Sequence, residues 1–240
     1  MEAARQDAEH AIAKCPMVKR VDHPYWYNWL SWHCYYRFRN RFKVQRRVAW
    51  EFINYIRTLP KGALIIDCGA NVGQVTAAFV KQGCEVHAFE PDPYAIEKFE
   101  SKFAGHPQVH LHKAAVGTEP GELMLFRTER FETRPERATI ESSLVRRDIH
   151  TSGNAVSVQV IDLIAFIRQL DRRVDVLKVD IEGAEVDLVN RLIDEGLHRE
   201  ISAIYVETHE RFSDDLAQRT QALRDRVRRE GIRNVNLDWV

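Results

Sequence analysis

Residues 64–90 read LIIDCGANVGQVTAAFVKQGCEVHAFE, and the fold follows from how this stretch is parsed. Ala63 to Ile66 is an apolar run of strand length. The chain then turns through Asp67-Cys68-Gly69-Ala70-Asn71-Val72-Gly73. Val72, Val75, Ala78 and Phe79 recur at helical spacing. A second apolar run, Val86 to Phe89, ends on Glu90. The pattern is strand, glycine loop, helix, strand.

Each polar or small residue of this unit has a chemical reading. Gly69 lets the chain leave the first strand at dihedrals closed to residues with a Cβ, and lets a ligand approach the backbone. Gly73 has no side chain to hold the helix away from the sheet or the ligand. The first helical turn carries amides without intrahelical partners. Glu90 follows Gly69 by about 20 positions, where such units place the acceptor for ribose hydroxyls. A bound nucleoside is the expectation. The loop reads GANVG, without the middle glycine that admits a pyrophosphate and without the lysine and Ser/Thr of a phosphate-binding loop. Asp67 would repel a phosphate but suits a cationic amino-acid tail. S-adenosylmethionine carries an ammonium, a sulfonium and a ribose, and no phosphate. The candidate cofactor residues are Asp67, Gly69, Ala70, Asn71, Gly73 and Glu90. Ala115, at the end of the third strand, joins them where this fold commonly lays the adenine.

DCGANVGQVTAAFV, HAFEPDPYAIEKFE and VLKVDIEGAE together resemble the FkbM family of S-adenosylmethionine-dependent methyltransferases. The similarity runs from about Leu64 to Glu207. Its most specific marks are Glu90-Pro91 and the segment Asp180-Ile181-Glu182-Gly183-Ala184-Glu185. The resemblance implies a Rossmann-like class I methyltransferase sandwich and transfer of methyl groups to hydroxyls of secondary metabolites, glycans or glycolipids. Ser142-Ser143-Leu144 resembles a short serine motif of that family. Residues 1–60 and 127–155 carry little of the likeness, and acceptor specificity is expected there.

Composition narrows the class. The chain has 240 residues, enough for one α/β domain with additions, and a formal net charge of zero, so no global field draws it to nucleic acid or an anionic membrane. The cysteines, Cys15, Cys34, Cys68 and Cys84, have no metal-type spacing, and reduced thiols in a cytoplasmic protein are the simplest reading. No transmembrane segment and no signal peptide are read from the sequence. The expected partner is a small-molecule or carbohydrate acceptor, not nucleic acid. Oligomeric state is left open.

Outward from the core unit, His23 to Arg47, HPYWYNWLSWHCYYRFRNRFKVQRR, is aromatic in its first half and basic in its second. A helical cap over the sheet or acceptor cleft, a sugar-binding surface and a single-stranded nucleic-acid surface are the three readings of it, the last disfavoured by the zero net charge. Val48, Phe52, Tyr55 and Leu59 follow as an amphipathic helix that stops at Pro60. Residues 1–60 are thus expected to form an N-terminal helical, aromatic-basic extension, and 61–240 the cofactor-binding domain.

Asp92-Pro93 opens a helix. Strands are expected at Val109–His112, Glu122–Phe126, Val156–Val160, Val174–Val179, Ile201–Val206 and Val235–Leu237, with helices over Ile161–Leu170 and Ala184–Leu197 and a basic amphipathic helix before the last strand. Thr128 to Asn154 is a long polar stretch of the kind that is functional or disordered. The fold class expected is α/β: a doubly wound sandwich with one mostly parallel sheet and an antiparallel strand near the carboxyl terminus.

Ligands of such sheets sit outside the carboxyl ends of the strands, here Asp67, Glu90, Ala115, Asp180 and Glu207. Lys178 alternates onto the face of Asp180. A hydroxyl acceptor profits from a positioned base. A neutral His209 beside Glu207 is the candidate base, with Asp180 and Glu182 orienting the hydroxyl or donor. A metal on Asp180, Glu182, Glu207 and His209 is the alternative, although no spacing demands one. An N- or protein methyltransferase is disfavoured by DIEG at the end of the fourth strand. A non-catalytic nucleoside-binding protein is disfavoured by the intact loop.

Overall fold

The computed structural model describes residues 50–128 and 150–239, and only the backbone of 127–128 and 150–154. The aromatic-basic segment 23–47, Ser142–Leu144 and most of the polar stretch 128–154 lie outside the described residues.

Helix α1 (residues 50–58) leads into β1 (Leu64–Cys68), α2 (Gln74–Gln82) and β2 (Glu85–Phe89). Next come α3 (Pro93–Phe103), β3 (Val109–His112), β4 (Ala115–Gly117) and β5 (Gly121–Thr128). The second half runs β6 (His150–Asp162), α4 (Leu163–Gln169), β7 (Val174–Val179), α5 (Glu185–Asp194), β8 (Ile201–Glu207), α6 (Asp214–Arg229) and β9 (Val235–Trp239).

The main sheet has the order β3-β2-β1-β7-β8-β9, and every pair in it is parallel. β1 is buried along its whole length, as a central strand covered on both faces must be. The strand period of two divides the core. Leu64, Ile66, Cys68, Leu177 and Val179 face α4, α5 and α6. Ile65, Val86, Val176, Ala203 and Tyr205 face Phe52 of α1, Phe79 of α2 and Phe99 of α3. Helix starts follow the residues: the Asp92 side chain accepts from the Tyr94 N–H with Pro93 in the first turn, and Asp162 and Ser213 cap α4 and α6. This is the doubly wound α/β fold, with its switch point between β1 and β7.

Two expectations are corrected. β9 runs parallel to β8 rather than antiparallel. The connection from Glu207 to Val235 contains α6, and a helical crossover returns the chain to the end of the sheet it left, which makes the next strand parallel. The sheet is also not single. β4, β6 and β5 form a separate three-stranded sheet, β4 parallel and β5 antiparallel to β6. Only Lys113 and Ala114 separate β3 from β4, far too few residues for a crossover back into the main sheet. Ala115 and Leu125 of the small sheet bury against Val158 and Val160, and the first two also face the crevice.

Candidate active site

The ends of β1 and β7 meet closely. Gly69 has φ 75°, and a Cβ there would collide with the carbonyl oxygen of Asp180. The Asp180 N–H donates to the Cys68 carbonyl at 3.1 Å. Gly69 is therefore required by the approach of a neighbouring strand end. Gly73, also at φ 75°, leaves room for the rings of Phe99 and Phe103 rather than for a ligand.

The loop amides are engaged within the protein. The Gly69 and Ala70 N–H groups both donate to the Phe89 carbonyl at 3.0 Å, and Gly73 N–H donates to Ala70 O at 2.9 Å. Asn71 N–H donates to Glu90 Oε2 at 2.7 Å, and Val72 N–H to the Asn71 side-chain oxygen at 2.7 Å. The loop itself offers shape more than donors, and α2 after it starts without a side-chain cap. Glu90 also takes the Asp92 N–H on Oε1 at 2.8 Å, so one carboxylate ties the loop after β1 to the loop after β2. Burial raises its pKa to about 7, against the two amides, which lower it.

A cavity of about 250 Å³ lies across these strand ends. Its walls include Gly69, Ala70 and Asn71 of the loop, Glu90, Ala115 and Leu125 of the small sheet, and Asp180 with Glu182. The fit to an adenosyl group is chemical: a carboxylate at the second strand end, apolar surface from Phe89, Ala114 and Val116, and acidic groups at the far side. Asp67 is not on this wall. It is fully buried, Oδ2 accepting from Thr76 Oγ1 at 2.6 Å and Oδ1 lying 3.2 Å from Lys178 Nζ. Its expected contact with a cationic tail is corrected, since its charge is matched inside the core.

Lys178 is part of the wall and its hub. Nζ donates to Gly69 O at 2.6 Å and Cys68 O at 3.2 Å, and lies 3.5 Å from Asp180 Oδ2. Burial works against its charge, but Asp67 and then Asp180 outweigh it and the net shift is upward. The sequence signal was a lysine inside an apolar strand, VDVLKV.

Asp180, Glu182 and His209 are brought together, with ligand-type atoms all within 4.8 Å of one another. His209 is fully buried and its Nδ1 pairs with Glu185 Oε1 at 2.8 Å. The same carboxylate accepts from the N–H groups of Ile181 and Gly183. Glu182 has φ 57°, an uncommon conformation for a residue with a Cβ, so the segment between β7 and α5 is sharply bent. The expected neutral base at His209 is corrected. Its ring does not line the cavity. Burial opposes its charge, yet Glu182 and Glu185 hold its pKa up at about 10, so it keeps its proton at neutral pH. The Glu207 carboxyl is also raised, to about 7, through burial and then the nearby Asp180. The Glu185–His209 pair was missed as a unit. A glutamate opening a helix carries no sequence mark of a partner 24 residues later.

Several known proteins are similar to this chain. "Methyltransferase 1" of Beauveria bassiana is 26% identical over an alignment covering 58% of this chain and 62% of that protein. The "AMB antimetabolite synthetase AmbE" of Pseudomonas aeruginosa is 27% identical, covering 72% of this chain and 10% of its own length. The chain thus spans about three fifths of one relative and a tenth of the other. A TehB-like SAM-dependent methyltransferase structure from Corynebacterium glutamicum shares 15% identity over 69% of this chain and 66% of its own, with a TM-score of 0.32. Residues 67–233 match the Methyltransferase FkbM domain, and they contain the glycine loop, Glu90, Asp180, Glu182 and His209. The chain belongs to the FkbM methyltransferase family.

Proposed function

We propose that this protein is an S-adenosylmethionine-dependent O-methyltransferase acting on a hydroxyl of a small molecule or carbohydrate. The observation that carries the reading is one cavity with Glu90 at the end of β2 and Asp180 and Glu182 beyond the end of β7. In this reading Glu90 holds the ribose diol, the Ala114–Val116 wall and Leu125 take the adenine, and the Gly69–Asn71 turn shapes the passage of the amino-acid tail. Asp67 contributes through Lys178, which fixes the carbonyls of Cys68 and Gly69. The cofactor supplies a methyl carbon on a sulfonium, whose positive charge is discharged as the methyl leaves.

Asp180 and Glu182 face the cavity and orient the acceptor hydroxyl. Holding acceptor and donor in line supplies much of the acceleration in such a displacement. We assign acceptor recognition to residues 23–47 and 127–155, because the cofactor fold does not need them. Residues 1–60 and 61–240 remain the proposed division into extension and cofactor-binding domain. Phe52 and Ile56 of α1 nonetheless share the core of the sheet. Cys68 and Cys84 are free and buried, in keeping with a reducing compartment such as the cytoplasm. Among the described residues no helix is long and apolar enough to cross a membrane.

The test has two arms. Calorimetry with S-adenosylhomocysteine should give one-to-one binding, and a nicotinamide dinucleotide should not bind. A panel of hydroxyl acceptors incubated with methyl-labelled donor and read by mass spectrometry should then show label on oxygen. Binding of the dinucleotide alone, or label on nitrogen alone, sinks the reading.

A further inference from the structure

His209 leaves one ring nitrogen without a role. Its side chain is fully buried, and Nδ1 is committed to Glu185 at 2.8 Å. Nε2 points the other way and has no hydrogen-bond partner. Three carboxylate oxygens surround it: Glu182 Oε1 at 3.6 Å, Asp180 Oδ1 at 3.8 Å and Glu207 Oε1 at 3.8 Å. All three are beyond hydrogen-bond reach. An imidazolium serving only to neutralise these acids would close on one of them to about 2.7–2.9 Å. Near-equal spacing to three oxygens is instead what ligand atoms show around a shared ion, where bonds of about 2.0–2.2 Å leave the ligands about 3–4 Å apart.

We propose that Asp180, Glu182 and His209, with Glu207 in reach as a further oxygen ligand, form a site for one divalent metal ion at the cavity rim. Glu185 is its outer support. A carboxylate accepting from Nδ1–H fixes the tautomer, so that Nε2, once the ion displaces its proton to water, aims a lone pair into the cluster, the usual arrangement behind a metal-bound histidine. Hard carboxylate oxygens with a single imidazole and no thiolate suit Mn²⁺ or Mg²⁺. Asp180 and Glu182 belong both to this cluster and to the cavity wall, so the ion would sit beside the proposed methyl-transfer position.

The ion's task rests on the O-methyltransferase reading above. It binds the acceptor hydroxyl oxygen and lowers its pKa. The hydroxyl proton passes to water. The oxygen bonds to the methyl carbon as the carbon–sulfur bond breaks, and that electron pair goes to sulfur, leaving a methyl ether and a thioether. A second cluster, Glu85, His87 and His110, also has ligand-type atoms within 4.8 Å of one another, but it lies away from the cavity wall and its His87 Nδ1 is already 3.0 Å from His112 Nε2.

The experiment titrates the chelator-stripped full chain with MnCl₂ alone and follows free Mn²⁺ by electron paramagnetic resonance. One saturable site is expected. Glu185→Gln should weaken it about 10–100-fold. Glu182→Gln and His209→Asn should weaken it at least as much, while His87→Gln leaves it unchanged. If His209→Asn fails to fold by thermal melting, Glu182→Gln decides. Absence of a saturable site, full affinity in Glu182→Gln, or loss in His87→Gln overturns the proposal. S-adenosylhomocysteine calorimetry on the same samples reads the cofactor assignment separately. Mn²⁺ binding without nucleoside binding would sink the function and keep the metal site, and the reverse result would do the opposite.

Discussion

At the β2 end of the crevice, both oxygens of Glu90 accept backbone N–H groups, at 2.7 and 2.8 Å, and one carboxylate locks two loops. At the β7 and β8 ends, Asp180, Glu182 and Glu207 face an imidazole nitrogen that bonds to none of them. The first region is self-satisfied and is shaped before any ligand arrives. The second gathers three carboxylates around one imidazole, with Lys178 beside Asp180 and Arg211 beside Glu207. Pre-formed loops suit a cofactor held the same way in every turnover. An acidic cluster at the rim suits the chemical step, where an added positive group is most effective. Lys178 joins the regions, reaching Asp67 and the Gly69 carbonyl on one side and Asp180 on the other.

Breaking that joint should have the largest effect. Lys178→Met leaves Asp67 buried and unpaired and should cost about 3–5 kcal/mol of stability, measured by urea unfolding. Adding Asp67→Asn should recover part of the loss. No recovery would mean that the lysine acts through the carbonyls it holds rather than through Asp67.

Gly69→Ala tests how closely the two regions must approach. Positive φ and the collision with Asp180 O together should cost about 2–3 kcal/mol and weaken nucleoside binding. Gly62→Ala is the control. It has φ 78° but nothing within 4 Å of its added Cβ, so only the smaller backbone cost of about 1 kcal/mol applies. Equal losses at the two sites would show that the strand approach at Gly69 is slack.

The cofactor region alone is probed by pH. Glu90 has its pKa raised from 4.5 to about 7 by burial. An acid shifted this way contributes stability below its unfolded pKa and loses it as pH rises through the folded value. Nucleoside hydroxyls that donate to the carboxylate favour the ionised form and reverse the trend for binding. S-adenosylhomocysteine affinity should therefore rise with pH up to about 7 and then level off. Glu90→Gln should flatten that rise and cost about 1–2 kcal/mol of binding at neutral pH. A wild-type profile flat from pH 5 to 8 would remove Glu90 from the ribose site.

Asn71→Gly should have the smallest effect. Asn71 sits at φ 48°, where glycine is favoured, but its side chain accepts from Val72 N–H. The two changes oppose each other, and stability should move by about 0.5 kcal/mol or less. A larger loss would make that side chain a structural part of the loop.

The sheet was legible because its strands are short apolar runs ending on polar residues. VLKVD, ISAIYVE and LIID each announce a buried parallel strand and a polar strand end. Glu90 and Asp180 could be placed because chain order and the carboxyl-end rule put them at the mouth of the sheet. The small sheet could not be placed, since the patterns of Glu122–Phe126 and Val156–Val160 announce strands without saying which sheet they join. The direction of β9 depended on α6 acting as a crossover, which periodicity alone does not reveal.

The sequence by itself determined the doubly wound core, the glycine turn after β1 and the acids at the strand ends, because these rest on local pattern and spacing. Only the tertiary structure decided what those groups meet. It turned Asp67 inward to Lys178, required Gly69 for the Asp180 carbonyl, and set His209 between Glu185 and three carboxylates. The Glu185–His209 contact spans 24 positions of the chain and the Gly69–Lys178 contact 109. Charge, protonation and collision at a site depend on distances through space, and side-chain identity along a chain does not encode them until the strands are packed.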